Sequence, residues 1–260
     1  MNINSEITVL ILAGGYGSRL DNLTKTIPKP LVKIGYEPII IHLLKIYLFQ
    51  GFNNFYIATG YKSNEFLKYF LKGKKKKIKI LLKKKIIDID YFIEGRKCKI
   101  KLIKTSNNSM TGGRVKEAAK YIKKDLFFLT YGDGLANVNL KKLLSFHNKK
   151  KKLVTVTAVN PPPRFGEIVI KKNNVVNFSE KKTIKNIWIN GGFFVVNKKF
   201  ISFIKNNKTI LEKEPLEKIA KLKQLSAYKH NGFWQCMDTK RDRDKLISFV
   251  KNKKFPWLKI

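Results

Sequence analysis

The sequence predicts an α/β fold with a mixed, mainly parallel sheet and flanking helices, on three observations. Short apolar runs rich in Val, Ile, Leu and Phe alternate with segments whose apolar residues recur at helical spacing. The first run, Thr8–Ala13, ends in a glycine-rich turn, Gly14-Gly15-Tyr16-Gly17. The 260 residues, 43% of them hydrophobic, suffice for one sizeable core.

The elements follow in order. Thr8–Ala13 reads as a buried strand. Residues 38–50 are apolar at helical spacing and stop at Gly51. Residues 55–58 form a second strand, and Ser63 is a natural N-cap for a helix reaching Leu71. Residues 72–97 are Lys-rich with short Ile-rich pieces and carry no assigned element. Residues 99–104 alternate like a strand, 113–123 read as a helix, and 126–130 as a strand. A helix over 140–147 and a strand over 153–159 come next. Two short strands flank Asn173-Asn174, and 188–196 form a further strand containing Gly191-Gly192. Helices are expected near 198–205 and 215–222, with a last one opening near Asp238-Thr239.

Composition narrows the function. No apolar run approaches the roughly 18–20 residues of a membrane-crossing helix. The opening Asn2, Asn4, Ser5 and Glu6 lead straight into a strand, so a cytoplasmic protein without a signal peptide is expected. Cys98 and Cys236 lack metal-ligand spacing and read as two free thiols. The formal net charge of +37 invites a nucleic-acid reading, but only six of the 55 basic residues are Arg. Arg is the usual reader of bases and phosphates, so the Lys runs at 74–77, 83–85 and 149–152 read as solvated turns and edges. No specific nucleic-acid partner and no membrane partner is expected.

Three motifs carry chemistry. A glycine-rich turn after a buried strand lets the backbone approach phosphates with its N–H groups exposed. Arg19, and Lys29 within Pro28-Lys29-Pro30, add the positive charge a triphosphate needs. The loop is not a Walker A motif, since no Gly-Lys-Ser/Thr follows. It is not a dinucleotide fingerprint either, since Leu20 stands where the third Gly belongs. Asp133 ends the apolar run before Gly134. Alone it reads as a turn residue, and beside a phosphate loop it reads as a ligand for Mg²⁺. Asp238, followed by Thr239, reads as opening the last helix. His42, His147 and His230 need no catalytic role, and His42 and His147 read as structural.

These motifs sit in an ordered series. Ser109-Met110-Thr111-Gly112-Gly113-Arg114 precedes Thr130-Tyr131-Gly132-Asp133-Gly134 and Pro162-Pro163-Arg164-Phe165-Gly166. Trp188-Ile189-Asn190-Gly191-Gly192, Glu214-Pro215-Leu216 and Gly232-Phe233-Trp234-Gln235 follow, with Met237-Asp238-Thr239 and a Phe255-Pro256-Trp257 tail. Together they resemble the glucose-1-phosphate cytidylyltransferase branch of the sugar-phosphate nucleotidyltransferase family, over nearly the whole chain.

The resemblance implies one Rossmann-like, GT-A-like nucleotidyltransferase domain over 1–260, with about 224–260 as a small C-terminal extension. It implies CMP transfer from CTP to α-D-glucose 1-phosphate with Mg²⁺, in a homo-oligomer that serves dideoxysugar and O-antigen synthesis. Leu12, Ala13, Gly14, Gly15, Tyr16, Gly17, Ser18 and Arg19 would wrap the nucleotide, and Lys29 would reach its phosphates. Ser109, Thr111, Arg114 and Gly132 would also bind nucleotide. Asp133 and Asp238 would hold the metal, while Glu180, Lys181 and Asn190 would line the sugar-phosphate side. Arg19, Lys29 and Asp133 would be catalytic. Departures from the pattern at Asn22-Leu23, Ile27, Ser106-Asn107 and Lys182 leave every one of these ligands in place.

Overall fold

The first apolar run becomes a strand with no solvent-facing side: β1 (Thr8–Ala13) is buried along its whole length. Alternate side chains explain this, because Val9, Ile11 and Ala13 enter one core while Leu10 and Leu12 enter another on the opposite face. This computed structural model describes residues 6–17, 20, 22–72, 85–161, 166–180 and 187–259.

After β1 come α1 (Asn22–Thr26), a 3-10 turn at Lys29–Leu31, and the short pair β2 (Lys33–Ile34) and β3 (Glu37–Pro38). Then follow α2 (Ile39–Leu48), β4 (Asn54–Thr59), α3 (Ser63–Leu71), β5 (Ile86–Ile93), β6 (Arg96–Lys104) and α4 (Thr111–Ala119). The middle of the chain holds β7 (Leu126–Tyr131), β8 (Gly134–Ala136), α5 (Leu140–Lys150), β9 (Val154–Val159), β10 (Glu167–Lys171) and β11 (Asn174–Ser179). The last part holds β12 (Ile189–Asn197), α6 (Glu214–Lys221), β13 (Leu225–His230), β14 (Trp234–Cys236) and α7 (Lys240–Lys251).

The main sheet has eight strands in the order β13-β9-β12-β7-β1-β4-β6-β5. β1 pairs in parallel with β4 and β7, β4 with β6, and β9 with β13. β12 runs antiparallel to β7 and β9, and β5 antiparallel to β6. The expected mixed, mainly parallel sheet is therefore present. Strand order reverses between β1 and β7, and in open α/β sheets ligands bind beyond the carboxyl ends of strands at that point.

Several boundaries differ from expectation for local reasons. Ser63 does not cap α3. Lys62 precedes it in a left-handed conformation, with φ 52°, and no side-chain cap bond forms. Helix α4 starts two residues early, with Gly112 and Gly113 in its first turn against the backbone of Thr209 and Asn207, and stops at Ala119. Helix α5 runs on to Lys150, and 198–203 is a 3-10 turn. The hairpin turn is centred on Lys172-Asn173, both at positive φ, one residue before the expected site. The Ile-rich part of 72–97 forms β5, whose two Asp are paired with Lys97 and Lys101. Residues 73–84 lie outside the described set, whereas Lys149–Lys151 are exposed as expected. Both cysteines are free. Among the described residues no helix is long and apolar enough to cross a membrane.

Candidate active site

Beyond the ends of β1 and β7 lies a cleft of about 1060 Å³. Its walls are the residues the sequence singled out: Leu12 to Gly17 on one side, Ser109, Thr111 and Arg114 on another, and Gly132, Asp133 and Asn190 across from them. Ser18, Arg19 and Lys181 lie outside the described residues. Glu180 is exposed at the end of the β10–β11 hairpin, away from the cleft lining.

The cleft centres on one cation held by two carboxylates. The Lys29 ammonium lies 2.5 Å from Asp133 Oδ2 and 2.6 Å from Asp238 Oδ1. Each of the three side chains is less than one third exposed, so the charges face one another with limited screening. Burial alone would lower the Lys29 pKa, but Asp133 and Asp238 outweigh it and hold it above its ordinary value.

Local structure places each of the three. Lys29 opens a 3-10 turn whose first bond runs from the Leu31 N–H to the Pro28 carbonyl at 2.8 Å. Pro30 packs under Gly132, where an added Cβ would lie 2.8 Å from Pro30 Cγ. The two prolines thus fix the turn and leave Lys29 as its outward residue. Asp133 follows β7. The ladder between β8 and β14 pairs Gly134 with Cys236, and the Met237 N–H donates to the Asp133 carbonyl at 2.9 Å. That ladder brings Asp238 beside Asp133. Asp238 does not cap the last helix, because Thr239 does so through a capping box with Asp242. The Asp238 carboxylate is thereby available to the cleft.

Two hard oxygen donors converging on one cation fit a divalent metal that takes its other ligands from phosphates and water. Among the described residues there is no group of three or more His, Cys, Asp or Glu, so a complete all-protein cage is not formed there. Cys236 lines the same cleft, but burial, then Asp238 and Asp133, push its thiol up to about 12, which keeps it protonated. None of the three histidines lines the cleft. His147 Nδ1 lies 2.8 Å from Thr155 Oγ1, and His42 packs edge-on against Trp257.

Arg114 is a bracket as well as a wall. It is 4% exposed and donates to Thr105 Oγ1 at 2.6 Å and to the carbonyls of Ser106 and Asn107 at 3.1 Å. Its guanidinium fills the space over Gly14, where a Cβ would lie 2.3 Å from it. Ser109 donates to Glu117. At the start of α4, the Met110 N–H donates to the Asn207 carbonyl at 2.8 Å and the Gly113 N–H to the Thr209 carbonyl at 3.3 Å, so both are already occupied.

Tyr131, Trp234 and Glu212 are among the cleft residues that sequence reasoning did not assign to the site. Tyr131 lies inside the Thr130–Gly134 motif. Trp234 donates from Nε1 to the Gly191 carbonyl at 2.7 Å. Glu212 stands two residues before the Glu214-Pro215-Leu216 block and faces the cleft. Nothing in its neighbourhood of Lys and Glu distinguishes it from a solvated surface residue.

The profile of the Nucleotidyl transferase family matches residues 8–240. The glucose-1-phosphate cytidylyltransferase of Salmonella typhimurium is 40% identical over 253 residues, which cover 95% of this chain and 97% of that protein. The probable glucose-1-phosphate cytidylyltransferase of Bacillus subtilis is 38% identical over 231 residues, covering 88% and 91%. Among solved structures, HddC from Yersinia pseudotuberculosis aligns with a TM-score of 0.70 at 23% identity, covering 94% of this chain and 99% of that one, a likeness of fold.

Proposed function

The chain belongs to the nucleotidyl transferase family, within it to the glucose-1-phosphate cytidylyltransferases, and from that premise we propose that it transfers CMP from CTP to α-D-glucose 1-phosphate, giving CDP-glucose and pyrophosphate. The observation that carries this is the convergence of Lys29, Asp133 and Asp238 on one point of a cleft bounded by the glycine-rich loop.

The chemistry needs alignment and charge neutralisation. A phosphate oxygen of glucose 1-phosphate, already anionic, forms the new bond to the α-phosphorus of CTP. The bond from that phosphorus to the bridging oxygen breaks, and pyrophosphate leaves with the electron pair. No general base is required. The glycine-rich loop with Ser109, Thr111 and Arg114 cradles the nucleotide. Lys29 and Arg19 offset charge as it develops on the leaving group, and Lys181 with Asn190 holds the incoming sugar phosphate. When bound, a divalent ion, which we assign as Mg²⁺ on Asp133, Asp238 and phosphate oxygens, supplies further neutralisation of the triphosphate.

We read residues 1–260 as a single catalytic domain with 224–260 as an extension woven into it, since β13 and β14 pair with β9 and β8. We also propose a homo-oligomer. The β10–β11 hairpin exposes Ile168, Val169, Ile170, Val175, Val176 and Phe178 at 48–65% each, an apolar surface that a second copy would cover. CDP-glucose production suits a role in dideoxysugar and O-antigen synthesis in the cytoplasm.

The test is pyrophosphate release with CTP, UTP and dTTP, each paired with glucose 1-phosphate. Release with CTP well above the others is expected. No release with any nucleotide overturns the reading.

A further inference from the structure

Glu212 is a carboxylate in a cleft that must receive polyanions. A carboxylate repels phosphate, so its place there calls for a partner with hydroxyl groups. Its two oxygens already order the cleft wall. Oε2 accepts from Thr111 Oγ1 at 2.6 Å, and Oε1 accepts from the Tyr131 hydroxyl at 2.5 Å.

The direction of each proton follows. The Thr111 hydroxyl accepts the Leu211 N–H at 2.9 Å, which leaves its own proton for Glu212. The Glu212 carboxylate can only accept, so the Tyr131 hydroxyl is the donor of the bond between them. The Tyr131 oxygen is then an acceptor, and Asn190 Nδ2 donates to it at 3.2 Å. Asn190 Oδ1 accepts the Gly192 N–H at 2.9 Å. The Asn190 amide is therefore pinned at both ends and cannot flip. One N–H remains available to the cleft. The Tyr131 ring is held as well: at Gly192, with φ 77°, a Cβ would lie 2.5 Å from Tyr131 Cδ2, and Phe194 packs edge-on at 5.9 Å.

We propose that Glu212 is a positioning residue for sugar recognition: through Tyr131 it fixes the orientation of Asn190, so that the cleft offers the sugar hydroxyls one fixed hydrogen-bond pattern. This rests on the cytidylyltransferase reading above and specifies which side of the site decides sugar identity. Discrimination between hydroxyl epimers needs such rigidity, because a donor free to rotate would serve either epimer.

The test measures KM for both substrates, and kcat/KM with glucose 1-phosphate against galactose 1-phosphate, in wild type, Glu212→Ala, Glu212→Gln, Tyr131→Phe and the Glu212→Ala/Tyr131→Phe double variant. Glu212→Ala is expected to raise KM for glucose 1-phosphate at least about tenfold, the cost of a lost hydrogen bond to a charged group, with a smaller rise in KM for CTP, about threefold, through the released Thr111 hydroxyl. The preference for glucose 1-phosphate should fall by a similar factor. Glu212→Gln should recover most of both, because its side-chain oxygen still accepts from Tyr131. The double variant should be no worse than Glu212→Ala, as expected of residues acting in one chain. Circular dichroism checks that each variant is folded. An unchanged sugar KM in Glu212→Ala, an equal rise in CTP KM, or additive effects in the double variant overturns the inference. Failure of wild type to make CDP-glucose overturns the parent reading instead.

Discussion

Lys29 serves two sets of anions in turn. In the ligand-free protein its ammonium bridges Asp133 and Asp238, and in the proposed reaction it meets the phosphates of CTP. Lys29→Ala removes both functions and leaves two carboxylates facing each other. It should lower kcat/KM for CTP at least about a hundredfold, the usual scale for an electrostatic catalytic group. Differential scanning fluorimetry without nucleotide should show that Mg²⁺ raises the melting temperature of this variant more than that of wild type. An equal rise in both would mean that the aspartates do not need a cation. Gly14 illustrates a different constraint, set by volume. Gly14→Ala places a methyl group 2.3 Å from Arg114, whose guanidinium is held by Thr105 and cannot retreat freely. It should lose both thermal stability and CTP turnover. Gly15→Ala, with no described protein atom within 4 Å of the added Cβ, should keep its thermal stability. Equal tolerance of the two in melts would show that Arg114 yields.

At the scale of elements, the start of α7 decides what Asp238 can do. The Thr239 hydroxyl accepts the Asp242 N–H at 3.2 Å, and Asp242 Oδ2 accepts the Thr239 N–H at 2.9 Å. Gln235 Nε2 also donates to Asp242 Oδ1 at 3.1 Å, tying the cap to β14. Thr239→Ala should cost about 1 kcal/mol by urea denaturation, the usual loss for an N-cap. It should also raise the Mg²⁺ concentration needed for half-maximal activity, because the backbone that carries Asp238 loosens. Unchanged values in both measurements would show that β14 alone sets the site. The β10–β11 hairpin is the opposite kind of element, exposed on apolar residues and outside the main sheet.

At the scale of the molecule, buried histidines link the core to pH. His42 is 2% exposed and packs edge-on against Trp257. Burial, which outweighs nearby Glu37, lowers its pKa to about 4 from 6.5. A lowered histidine pKa means that the unfolded chain binds the proton more readily. Stability is therefore full above pH 6.5 and is lost as pH falls toward 4. His42 should account for on the order of 2 kcal/mol of loss by pH 5. His42→Phe should flatten the fall in melting temperature between pH 7.5 and pH 5, and a parallel fall in wild type and variant would assign it elsewhere. The net charge of +37 is a second global property. Binding through scattered Lys releases counterions and falls steeply with salt, whereas an enclosed triphosphate site is screened less. CDP-glucose synthesis should persist at roughly 0.2 M salt, where nucleic-acid retention should have largely vanished. Parallel salt titrations of turnover and RNA retention check this, and retention that outlasts turnover would reverse the reading.

Local pattern by itself determined the α/β alternation, the strand before the glycine-rich loop, and the candidacy of Lys29 and Asp133, because periodicity and turn chemistry act over a few residues; the candidacy of Asp238 rested on the family resemblance. It left β5, β13 and β14 unassigned. Their residues are part Lys-rich and part polar, and only pairing with β6, β9 and β8 makes them strands. Tertiary structure alone decided that Asp238 faces Asp133, since a ladder between segments far apart in sequence joins them. It alone decided that Arg114 braces Gly14, and that Glu212 faces the cleft rather than solvent. A side chain's partner across the fold depends on where the sheet puts it, and no spacing along the chain encodes that.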